Sequence, residues 1–456
     1  MKKLIRFIPL LITPLMLTSC KLPFFPANKS SVSSEPDTFP EGKKGTWTIM
    51  IYMCGSDLES GWDGEKSNPG FAGLATLDIE EILSVTGQTD NVNIIIETGG
   101  AYAWNPKYGI SSDKLGRYHV KNNKLIKDEE LEYASMGSTS TFESFLRWGL
   151  YNYPAEKTGV VLWNHGGAMS GVCFDEKEKN DSLLNSETKG VFSKVLKDRK
   201  LEFIGYDACL MGMQDIAVTN SEFFNYMVCA QESEIGEGWN YDTWVDDLYA
   251  GKDTETILKA IAQGLIDDFE ASYGEWYDNE QTVSVLDLSK MDDYKQTIEN
   301  VAEDVSHGIK LYGKSKFYKW ARRNIKNFGT TVYSSAEELM EATGLTPLEA
   351  SRYGIDNIDG KYYEWGSNYF GTFDAYDFFT KISDISFFSS LTSELSNIQA
   401  AVEDVVIYNA IGKDAGEAHG ISLFYPTSGS ANKEAYYTLQ QTSFSGWQTM
   451  VSETGA

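Results

Sequence analysis

Two segments, GVVLWNHGG at residues 159–167 and FIGYDACLMG at residues 203–212, carry most of the information about fold and chemistry. Each begins with a run of mostly apolar residues, which is typical of a strand buried on both faces of a parallel sheet. Each then reaches a reactive side chain, His165 or Cys209, next to small residues. Because α/β sheets place their active sites at the carboxyl ends of such strands, the segments predict one site that contains both side chains.

A cysteine and a histidine at one sheet edge indicate acyl transfer. A thiol is already nucleophilic near neutral pH, and an imidazole can accept its proton and later donate one to the leaving amine. Gly166 and Gly167 let a substrate backbone approach closely and leave amide N–H groups free for a developing oxyanion. A lone cysteine in an apolar strand is usually a small buried hydrophobic residue, so the prediction depends on its combination with His165.

The other three histidines are weaker candidates, because none follows an apolar strand with a Gly-Gly turn. His119 lies in an alternating segment typical of a surface strand, and His419 precedes a strand. We expect these two and His307 to be structural or solvated.

The sequences WNHGG and YDACLMG resemble the clostripain-like family of cysteine peptidases, part of the caspase-like clan. The resemblance extends to WTIMIYM at 47–53 with the acidic turn GSDLE at 55–59, and to AQESEIGEGWNY at 230–241. It spans residues 46–248, with a weaker match in GISLFYP at 420–426. It implies an α/β fold with a caspase-like, mostly parallel β-sheet flanked by helices and a C-terminal α+β extension.

The resemblance also implies a mechanism. The His-Cys dyad becomes His165 and Cys209, the thiol forms a thioester acyl-enzyme, and the backbone N–H groups of Gly166 and Cys209 form the oxyanion hole. Members of the family prefer basic residues on the acyl side of the cleaved bond. The expected function is therefore an endopeptidase that cuts proteins or peptides after Arg or Lys, with no cofactor required for the chemistry.

A pocket for Arg or Lys needs a carboxylate, because a cation taken out of water without a partner is strongly disfavoured. Asp207 lies two residues before Cys209 and on the same side of the strand, so it is one candidate. Glu237 is the other, in a glycine-rich loop to which the resemblance assigns pocket residues. The alternatives are that Asp207 braces the following turn and that Glu237 is a solvated loop acid. Ile235 stands where the family usually has Pro, and Glu237 is longer than the usual Asp.

The charged segment DEKEKNDS at residues 175–182 lies between the histidine strand and the cysteine strand. Its composition is typical of an exposed loop that a peptidase can reach. Many relatives are activated by a cut at a basic residue in this interval, so the resemblance implies self-cleavage at Lys179, with Lys177 as the second choice. The alternative is a solvated linker that is never cut.

The N-terminus indicates export. Basic residues precede an apolar run at 7–17 that is shorter than a bilayer-spanning helix, which is typical of a secretory signal peptide at residues 1–19. The sequence LTSC at 17–20 resembles a bacterial lipoprotein cleavage box, which implies that Cys20 is lipidated and holds the protein to the membrane in the cell envelope, outside the cytoplasm. A simple membrane anchor is the alternative. Residues 20–44, rich in Pro and Ser, predict a flexible tether.

A chain of 456 residues with 42% apolar composition can bury a large core. We predict a catalytic core at residues 45–250 and a C-terminal extension at 251–456 that completes or caps it. Predicted helices cover 72–85, 141–153, 186–197, 213–224, 254–273 and 290–309. Predicted strands contain Trp47, Val92, Val160, Ile204 and Met227, with a further strand at 421–425.

The charge balance argues against one class of partner. With 39 basic and 66 acidic residues the formal net charge is −27, which is not the electrostatic footprint of a nucleic-acid-binding protein and attracts cationic peptides. The resemblance allows Ca²⁺, with Asp57, Glu59 and Asp63 as local acids. No EF-hand spacing occurs in the sequence, so the metal ligands stay unassigned.

The cysteines do not form a disulfide framework or a zinc pattern. Cys54, Cys173, Cys209 and Cys229 lie in or beside apparent core strands of a domain large enough to need no covalent staple. Free buried thiols are therefore expected, with a Cys54–Cys229 bond as the alternative. No paired Cys-x-x-Cys supports zinc.

Two other functions remain open on the sequence alone. One is a catalytically inactive surface lipoprotein that binds a peptide or a glycan through its aromatic C-terminal half, because fold alone does not exclude it. The other is a cysteine amidase or transpeptidase that acts on cell-wall peptides with the same dyad.

Overall fold

The computed structural model describes residues 38–61, 73–333, 335–350, 355–358, 360–364, 371–425 and 443–455. Its strands, in chain order, are β1 (Lys43–Cys54), β2 (Val92–Gly99), β3 (Lys114–Lys121), β4 (Lys124–Glu132), β5 (Ala155–Trp163), β6 (Val172–Asp175), β7 (Asp181–Leu183), β8 (Leu201–Asp207), β9 (Phe224–Cys229), β10 (Thr282–Asp287), β11 (Asn327–Phe328), β12 (Thr331–Tyr333), β13 (Ile355–Ile358), β14 (Lys361–Glu364), β15 (Thr372–Asp374), β16 (Val406–Ile411) and β17 (Ser422–Phe424). Its helices are α1 (Ser56–Ser60), α2 (Leu74–Ser84), α3 (Thr139–Asn152), α4 (Asn185–Leu196), α5 (Gln214–Asn220), α6 (Tyr241–Tyr249), α7 (Thr254–Tyr273), α8 (Met291–Tyr312), α9 (Lys314–Asn324), α10 (Ala336–Thr343), α11 (Pro347–Ala350), α12 (Ala375–Ser383), α13 (Thr392–Val405) and α14 (Ser445–Thr454).

Five parallel strands form the centre of a nine-stranded sheet. In the order β9-β8-β5-β1-β2, each of these strands runs parallel to its neighbour. Antiparallel strands extend both edges, β3 and β4 beyond β2, and β10 and β16 beyond β9. The five central strands are those predicted from the sequence, so the mostly parallel α/β sheet is confirmed.

Helices cover both faces of this sheet, because the side chains of each strand alternate between two buried clusters. Along β1, Met50 and Tyr52 belong to one cluster, whereas Ile49, Ile51 and Met53 belong to the other. The first cluster is completed by residues of α3, α4, α5, α8, α9, α12, α13 and α14, and the second by residues of α2, α6 and α7. The result is a three-layer α/β/α arrangement.

Most predicted helices are confirmed to within a few residues. The predictions at 141–153, 186–197, 254–273 and 290–309 correspond to α3, α4, α7 and α8. The helix predicted at 72–85 runs from Leu74 to Ser84, and residue 72 lies outside the described residues. The prediction for 213–224 is wrong at its end, since α5 ends at Asn220 and Phe224 begins β9. The two phenylalanines that prolong the helical pattern are buried instead in a turn and a strand.

The second half of the chain extends the same sheet. β10 pairs with β9 and β16 pairs with β10, while α8, α12, α13 and α14 pack on one face. β17 confirms the predicted strand at 421–425 and joins β15 and β11 in a small sheet. The Ser422 N–H donates to the Gly212 carbonyl at 2.7 Å, so this small sheet contacts the turn that follows Cys209. A second small sheet has the order β12-β14-β13.

The N-terminal predictions lie mostly outside the described residues. These include the signal peptide at 1–19, Cys20 and the tether up to residue 37. The first strand begins at Lys43. Within the described parts of the chain, no helix combines the length and the apolar character needed to cross a membrane.

The four cysteines within the described ranges are free thiols, as expected. The alternative of a Cys54–Cys229 bond is wrong, because β1 and β9 are separated in the sheet by β5 and β8. Three strand spacings amount to roughly 14 Å, about twice the largest Cα separation that a disulfide spans. The strand order, which the cysteine spacing does not reveal, excludes the bond.

Candidate active site

The ends of β5 and β8 bring His165 and Cys209 into neighbouring turns. The strands pair in parallel with Trp163 opposite Asp207, and each reactive residue follows two positions later. The turns touch, because a Cβ atom built on Gly166 would lie only 2.0 Å from the carbonyl oxygen of Cys209. A side chain at position 166 would therefore force the turns apart. Glycine is needed here for the close approach of the Cys209 turn, and the predicted approach of a substrate backbone stays a prediction.

The turn that carries Cys209 is held by the loop that follows β9. The N–H of Leu210 donates to the Glu232 carbonyl at 3.2 Å, and the N–H of Gly212 donates to the Ala230 carbonyl at 2.7 Å. Leu210 adopts a φ of 64°, which is uncommon for a residue with a branched side chain. Backbone strain directly after a reactive residue is typical of functional turns, because the surrounding contacts must hold it in place.

Cys209 is half-buried and packs against the larger core cluster. Burial raises the pKa of its thiol to about 12, and the negative charge of Glu234 adds to this effect. The backbone N–H of Glu234 acts in the opposite direction, since it donates to the Cys209 sulfur at 3.3 Å. The resting group at neutral pH is therefore a thiol, which needs a base before it can attack.

The turn that carries His165 is held in place by hydrogen bonds to neighbouring segments. The N–H of Cys173 donates to the His165 carbonyl at 3.3 Å. The preceding residue, Asn164, donates through its side chain to the Cys54 carbonyl and accepts from the Phe174 N–H, both at 2.7 Å. The Nε2 atom of the His165 ring lies 2.7 Å from Oδ1 of Asp57. These contacts fix both the backbone and one ring nitrogen.

The Gly166 N–H is not engaged by the bridge that pairs Gly166 with Val172. The two hydrogen bonds of that bridge come from neighbouring residues. The Cys173 N–H donates to the His165 carbonyl, and the Gly167 N–H donates to the Gly171 carbonyl at 2.9 Å. An oxyanion-hole donor must point at the substrate and not at the protein. The arrangement suits the predicted role of Gly166, which stays a prediction together with that of the Cys209 N–H.

Four carboxylic acids, which we call the acidic cluster, lie on the Asp207 side of this edge: Asp78 and Asp207, which are buried, and Glu81 and Glu234, which are half-buried. Asp207 is 4% exposed and accepts from the Trp239 N–H at 3.2 Å and from the Tyr241 hydroxyl at 2.9 Å. Burial raises its pKa to about 7. Asp207 thus braces the loop that contains Trp239, which is a different segment from the following turn named in the predicted alternative, and it also belongs to a larger cluster.

Two other members of the acidic cluster, Asp78 and Glu81, lie on α2. Asp78, on α2, accepts from the Trp163 indole at 2.5 Å, and its pKa is raised by burial and by the charge of Asp207. Glu81, one turn further along α2, accepts from the Tyr241 N–H at 2.8 Å, and burial raises its pKa to about 7.

Glu234 joins the acidic cluster from the loop after β9. Its pKa is raised by burial and by Asp207, and its Oε2 atom is buried without a hydrogen-bond partner. Among the described residues, no Lys or Arg forms an ion pair with any of the four acids. A cation that enters this cluster would supply the missing counter-charge.

Glu237 lies apart from the contacts of the acidic cluster. It is half-buried and accepts from the Tyr273 hydroxyl of α7 at 2.6 Å. Within the same loop, Glu234 is the acid whose backbone contacts the Cys209 sulfur. Nothing in the sequence distinguishes Asp78 or Glu81 as site residues, and the only signal for Glu234 is its place in the segment 230–241.

The two lysines predicted for self-cleavage lie on the β6–β7 hairpin. Lys179 is exposed and adopts a φ of 60°. Lys177 is held down, because its ammonium donates to the Ser112 carbonyl and lies 4.0 Å from the centre of the Tyr133 ring. Of the two, Lys179 is the more accessible to a peptidase.

The acids considered for calcium have protein partners. Asp57 contacts His165, and the buried Glu59 accepts from the Thr76 N–H at 3.0 Å and the Asn105 N–H at 2.7 Å. Asp63 lies outside the described residues. Across the described ranges, no three His, Cys, Asp or Glu side chains converge as a metal site requires. Calcium binding stays a prediction.

The remaining histidines have their own environments. His119 Nδ1 lies 2.8 Å from Asp128, and His419 Nδ1 lies 3.0 Å from Asp374. His307 is exposed on α8. These environments agree with the structural or solvated roles expected for all three.

A family model described as the clostripain family matches residues 63–453. Clostripain from Hathewaya histolytica is 23% identical over an alignment 455 positions long, which covers 87% of this chain and 77% of that protein.

Two solved structures share the fold. An inactive zymogen C11 protease from Parabacteroides distasonis gives a TM-score of 0.57 at 16% identity, over 90% of this chain and 98% of that one. A secreted C11 cysteine protease from Bacteroides thetaiotaomicron, in complex with an irreversible peptide inhibitor, gives a TM-score of 0.57 at 14% identity, over 89% of this chain and 99% of that one. At these identities the two structures bear on the fold alone, and they match the sheet and its flanking helices.

Proposed function

Because this chain belongs to the clostripain family and is a cysteine peptidase, we propose that it is an endopeptidase that cleaves after Arg and Lys. Cys209 is the nucleophile and His165 is the acid and base. The observation that carries the specificity is the acidic cluster, which approaches the Cys209 turn through Glu234 and has no cationic partner among the described residues.

The proposed reaction has two halves. His165 accepts the proton of the Cys209 thiol, and the sulfur attacks the carbonyl carbon of the peptide bond. The oxyanion is stabilised by the N–H groups of Gly166 and Cys209, and the imidazolium gives its proton to the leaving amine. A thioester remains. His165 then takes a proton from water, the resulting oxygen nucleophile attacks the thioester, and the acid product leaves as the thiol recovers its proton.

The acidic cluster explains why the side chain before the cleaved bond should be basic. Asp207 is buried, Glu234 is half-buried with its Oε2 atom enclosed, and burial is the main reason that their pKa values are raised. A buried guanidinium or ammonium group beside them favours their ionised forms and forms charge-assisted hydrogen bonds. The net charge of −27 also attracts cationic segments of a substrate before they bind.

The test is hydrolysis of fluorogenic peptides that end in Arg, Lys, Ala or Asp by the fragment from residue 38, with Cys209→Ala alongside. We expect cleavage after Arg and Lys that is absent in the variant. Equal cleavage of all four peptides would refute the basic specificity. Activity that survives Cys209→Ala would refute the nucleophile, and silence on every peptide would favour the cell-wall amidase.

We also propose that the chain is exported, is lipidated at Cys20 and cleaves itself at Lys179. The pattern of residues 1–20 supports export, and the exposure of Lys179 supports a cut at the hairpin tip. The relatives include a protease described as secreted and another described as an inactive zymogen. Mass spectrometry of the full chain isolated from membranes of the expressing bacterium tests export and lipidation at Cys20. Mass spectrometry of the soluble fragment before and after incubation tests the cut at Lys179.

A further inference from the structure

The contact between His165 and Asp57 is not part of the two-residue mechanism. The Nε2 and Oδ1 atoms are 2.7 Å apart, and the side chains are 14% and 29% exposed. Burial opposes the ionisation of Asp57, yet the charge and hydrogen bond of His165 lower its pKa overall. The carboxylate is therefore ionised at the pH at which a thiol peptidase works.

The position of Asp57 is fixed by the backbone. β1 ends at Cys54, and the Gly55 N–H donates to the Gly99 carbonyl at 2.8 Å. A Cβ atom on Gly55 would lie 2.8 Å from the ring of Trp104, so this turn is tightly packed. Ser56, the first residue of α1, adopts a φ of 46°, which is uncommon for a residue with a side chain. The buried Glu59, anchored at both oxygens, holds the other end of α1.

We propose that Asp57 is a positioning residue that fixes the orientation and the protonated nitrogen of His165, which makes the catalytic group Cys209, His165 and Asp57. This inference rests on the roles proposed above for His165 and Cys209. An ionised carboxylate can only accept a hydrogen bond, so it requires the proton of the neutral ring on Nε2. The lone pair is then on Nδ1, which is the nitrogen left to exchange a proton with the thiol.

Asp57 gains and loses no proton in the reaction. The thiol proton moves from the Cys209 sulfur to Nδ1 of His165, and the ring becomes a cation with protons on both nitrogens. The Asp57 carboxylate faces that cation. The Nδ1 proton then passes to the leaving amine, which restores the neutral ring with Nε2 still donating to Asp57. The carboxylate thus acts through His165, as the third member of a nucleophile–base–orienter group.

The other ionisable groups near this pair have separate partners. Glu176, on the β6–β7 hairpin, accepts from the Ser60 hydroxyl at 2.5 Å and the Tyr102 N–H at 2.9 Å. Asp175, at the end of β6, accepts from the Tyr133 hydroxyl and the Met136 N–H. The Cys54 thiol, at the end of β1, donates to the Phe174 carbonyl at 3.6 Å. Among the described residues, Asp57 is the acid that contacts the His165 ring.

The kinetic test is Asp57→Asn in the full peptidase, assayed on an Arg peptide. The new amide N–H can donate to Nε2, which favours the tautomer of His165 that carries its proton on Nδ1 and cannot accept the thiol proton there. We expect kcat to fall at least about 10-fold, and less than the roughly 10⁴-fold seen in a serine triad, because a thiol is the better nucleophile. KM should change less than about twofold, because Asp57 does not belong to the acidic cluster.

The matched control is Asp128→Asn, which alters another close His–Asp pair, His119 and Asp128 on β3 and β4, whose atoms lie 2.8 Å apart. It should leave kcat and KM unchanged. An active wild-type enzyme whose kcat is unaffected by Asp57→Asn would overturn the inference. A wild-type enzyme with no activity on any peptide would instead count against the proposed function.

A spectroscopic test does not depend on activity. The chain has four histidines, so ¹⁵N-histidine labelling of the Cys209→Ala protein gives a spectrum simple enough to assign. At pH 8.5 we expect the His165 signals of the Nε2–H tautomer, and a mixture of tautomers once Asp57→Ala is added. Unchanged signals of the other three histidines would show that the fold is kept. The Nδ1–H tautomer in the Cys209→Ala protein would overturn the inference.

Discussion

The substitution Asp207→Asn is expected to separate basic from neutral substrates. Asp207 is 4% exposed and belongs to the acidic cluster, so the change removes one negative charge from a buried site and keeps the shape of the side chain. The amide oxygen can still accept from the Trp239 N–H, and the Tyr241 hydroxyl can rotate to accept from the amide. The loop should therefore keep its conformation.

The magnitude follows from the burial of this carboxylate. A hydrogen bond between charged groups contributes about 1.5–3 kcal/mol, and the Coulomb energy of opposite charges about 4–8 Å apart at an effective dielectric constant near 20 is about 2–4 kcal/mol. Energies of about 1.5–4 kcal/mol correspond to a fall in kcat/KM for Arg and Lys peptides of roughly 10- to 1,000-fold. For an Ala peptide it should change less than about threefold, since that side chain brings no charge to the cluster.

The assay compares kcat/KM for Arg and Ala peptides in the wild type, in Asp207→Asn and in Glu237→Gln. The last variant makes the same chemical change in the adjoining loop, where the carboxylate accepts from Tyr273. Glu237→Gln should have the smaller effect on the Arg peptide. Equal losses on Arg and Ala peptides in Asp207→Asn would refute the reasoning, because they would show that Asp207 only braces the loop.

The pH dependence gives an independent check. Burial raises the pKa of Asp207 from 3.8 to about 7, so without substrate the folded state binds more protons than the unfolded state between these values. Its contribution to stability falls as the pH rises through that window, by up to roughly 4 kcal/mol. Asp207→Asn should therefore raise the thermal midpoint of the substrate-free protein at pH 8 and have little effect at pH 4. The ratio of Arg to Ala cleavage in the wild type should rise between pH 5 and 8, less steeply in the variant.

Three further substitutions test other parts of the account. Glu234→Gln should lower kcat/KM for Arg peptides about 10-fold or more and leave kcat/KM for Ala peptides unchanged. It removes a negative charge from the acidic cluster but keeps the hydrogen bond from the backbone N–H to the Cys209 sulfur. An unchanged preference for Arg would exclude Glu234 from the pocket. Gly166→Ala should reduce kcat/KM on all peptides by at least about 100-fold, because its Cβ would lie 2.0 Å from the carbonyl oxygen of Cys209. The control Gly190→Ala should have no effect, because no atom lies within 4 Å of a Cβ built there. Lys179→Ala should prevent self-cleavage of the fragment seen by mass spectrometry, and Lys177→Ala should not; the opposite pattern would move the cut to Lys177.

The central sheet was predictable because each parallel strand is a short apolar run with a clear end. The ends of the two runs then placed His165 and Cys209 at the same edge. The glycine after the histidine predicted the approach of a substrate backbone, and the contact of Gly166 with the Cys209 turn was not predicted. Strand order was not predictable in this way, which is why a Cys54–Cys229 bond stayed open until the positions of β5 and β8 were known.

The contacts that complete the site come from distant segments. Asp57 lies 108 residues before His165, and the position of its carboxylate depends on how β1 pairs with β5. Asp78 reaches the acidic cluster from a helix whose sequence shows only an amphipathic pattern. In the loop after β9, three acids lie within six residues, and only the path of the backbone distinguishes Glu234 from Glu237.

The most direct test of the central claim is covalent labelling by a peptide chloromethyl ketone that ends in Arg, followed by mass spectrometric mapping of the cysteines. The account predicts one adduct on Cys209, formed much faster than with a matching reagent that ends in Asp, and slowed at least about 100-fold by His165→Ala. Labelling of Cys54, Cys173 or Cys229 in place of Cys209, or equal rates with the Arg and Asp reagents, would contradict it.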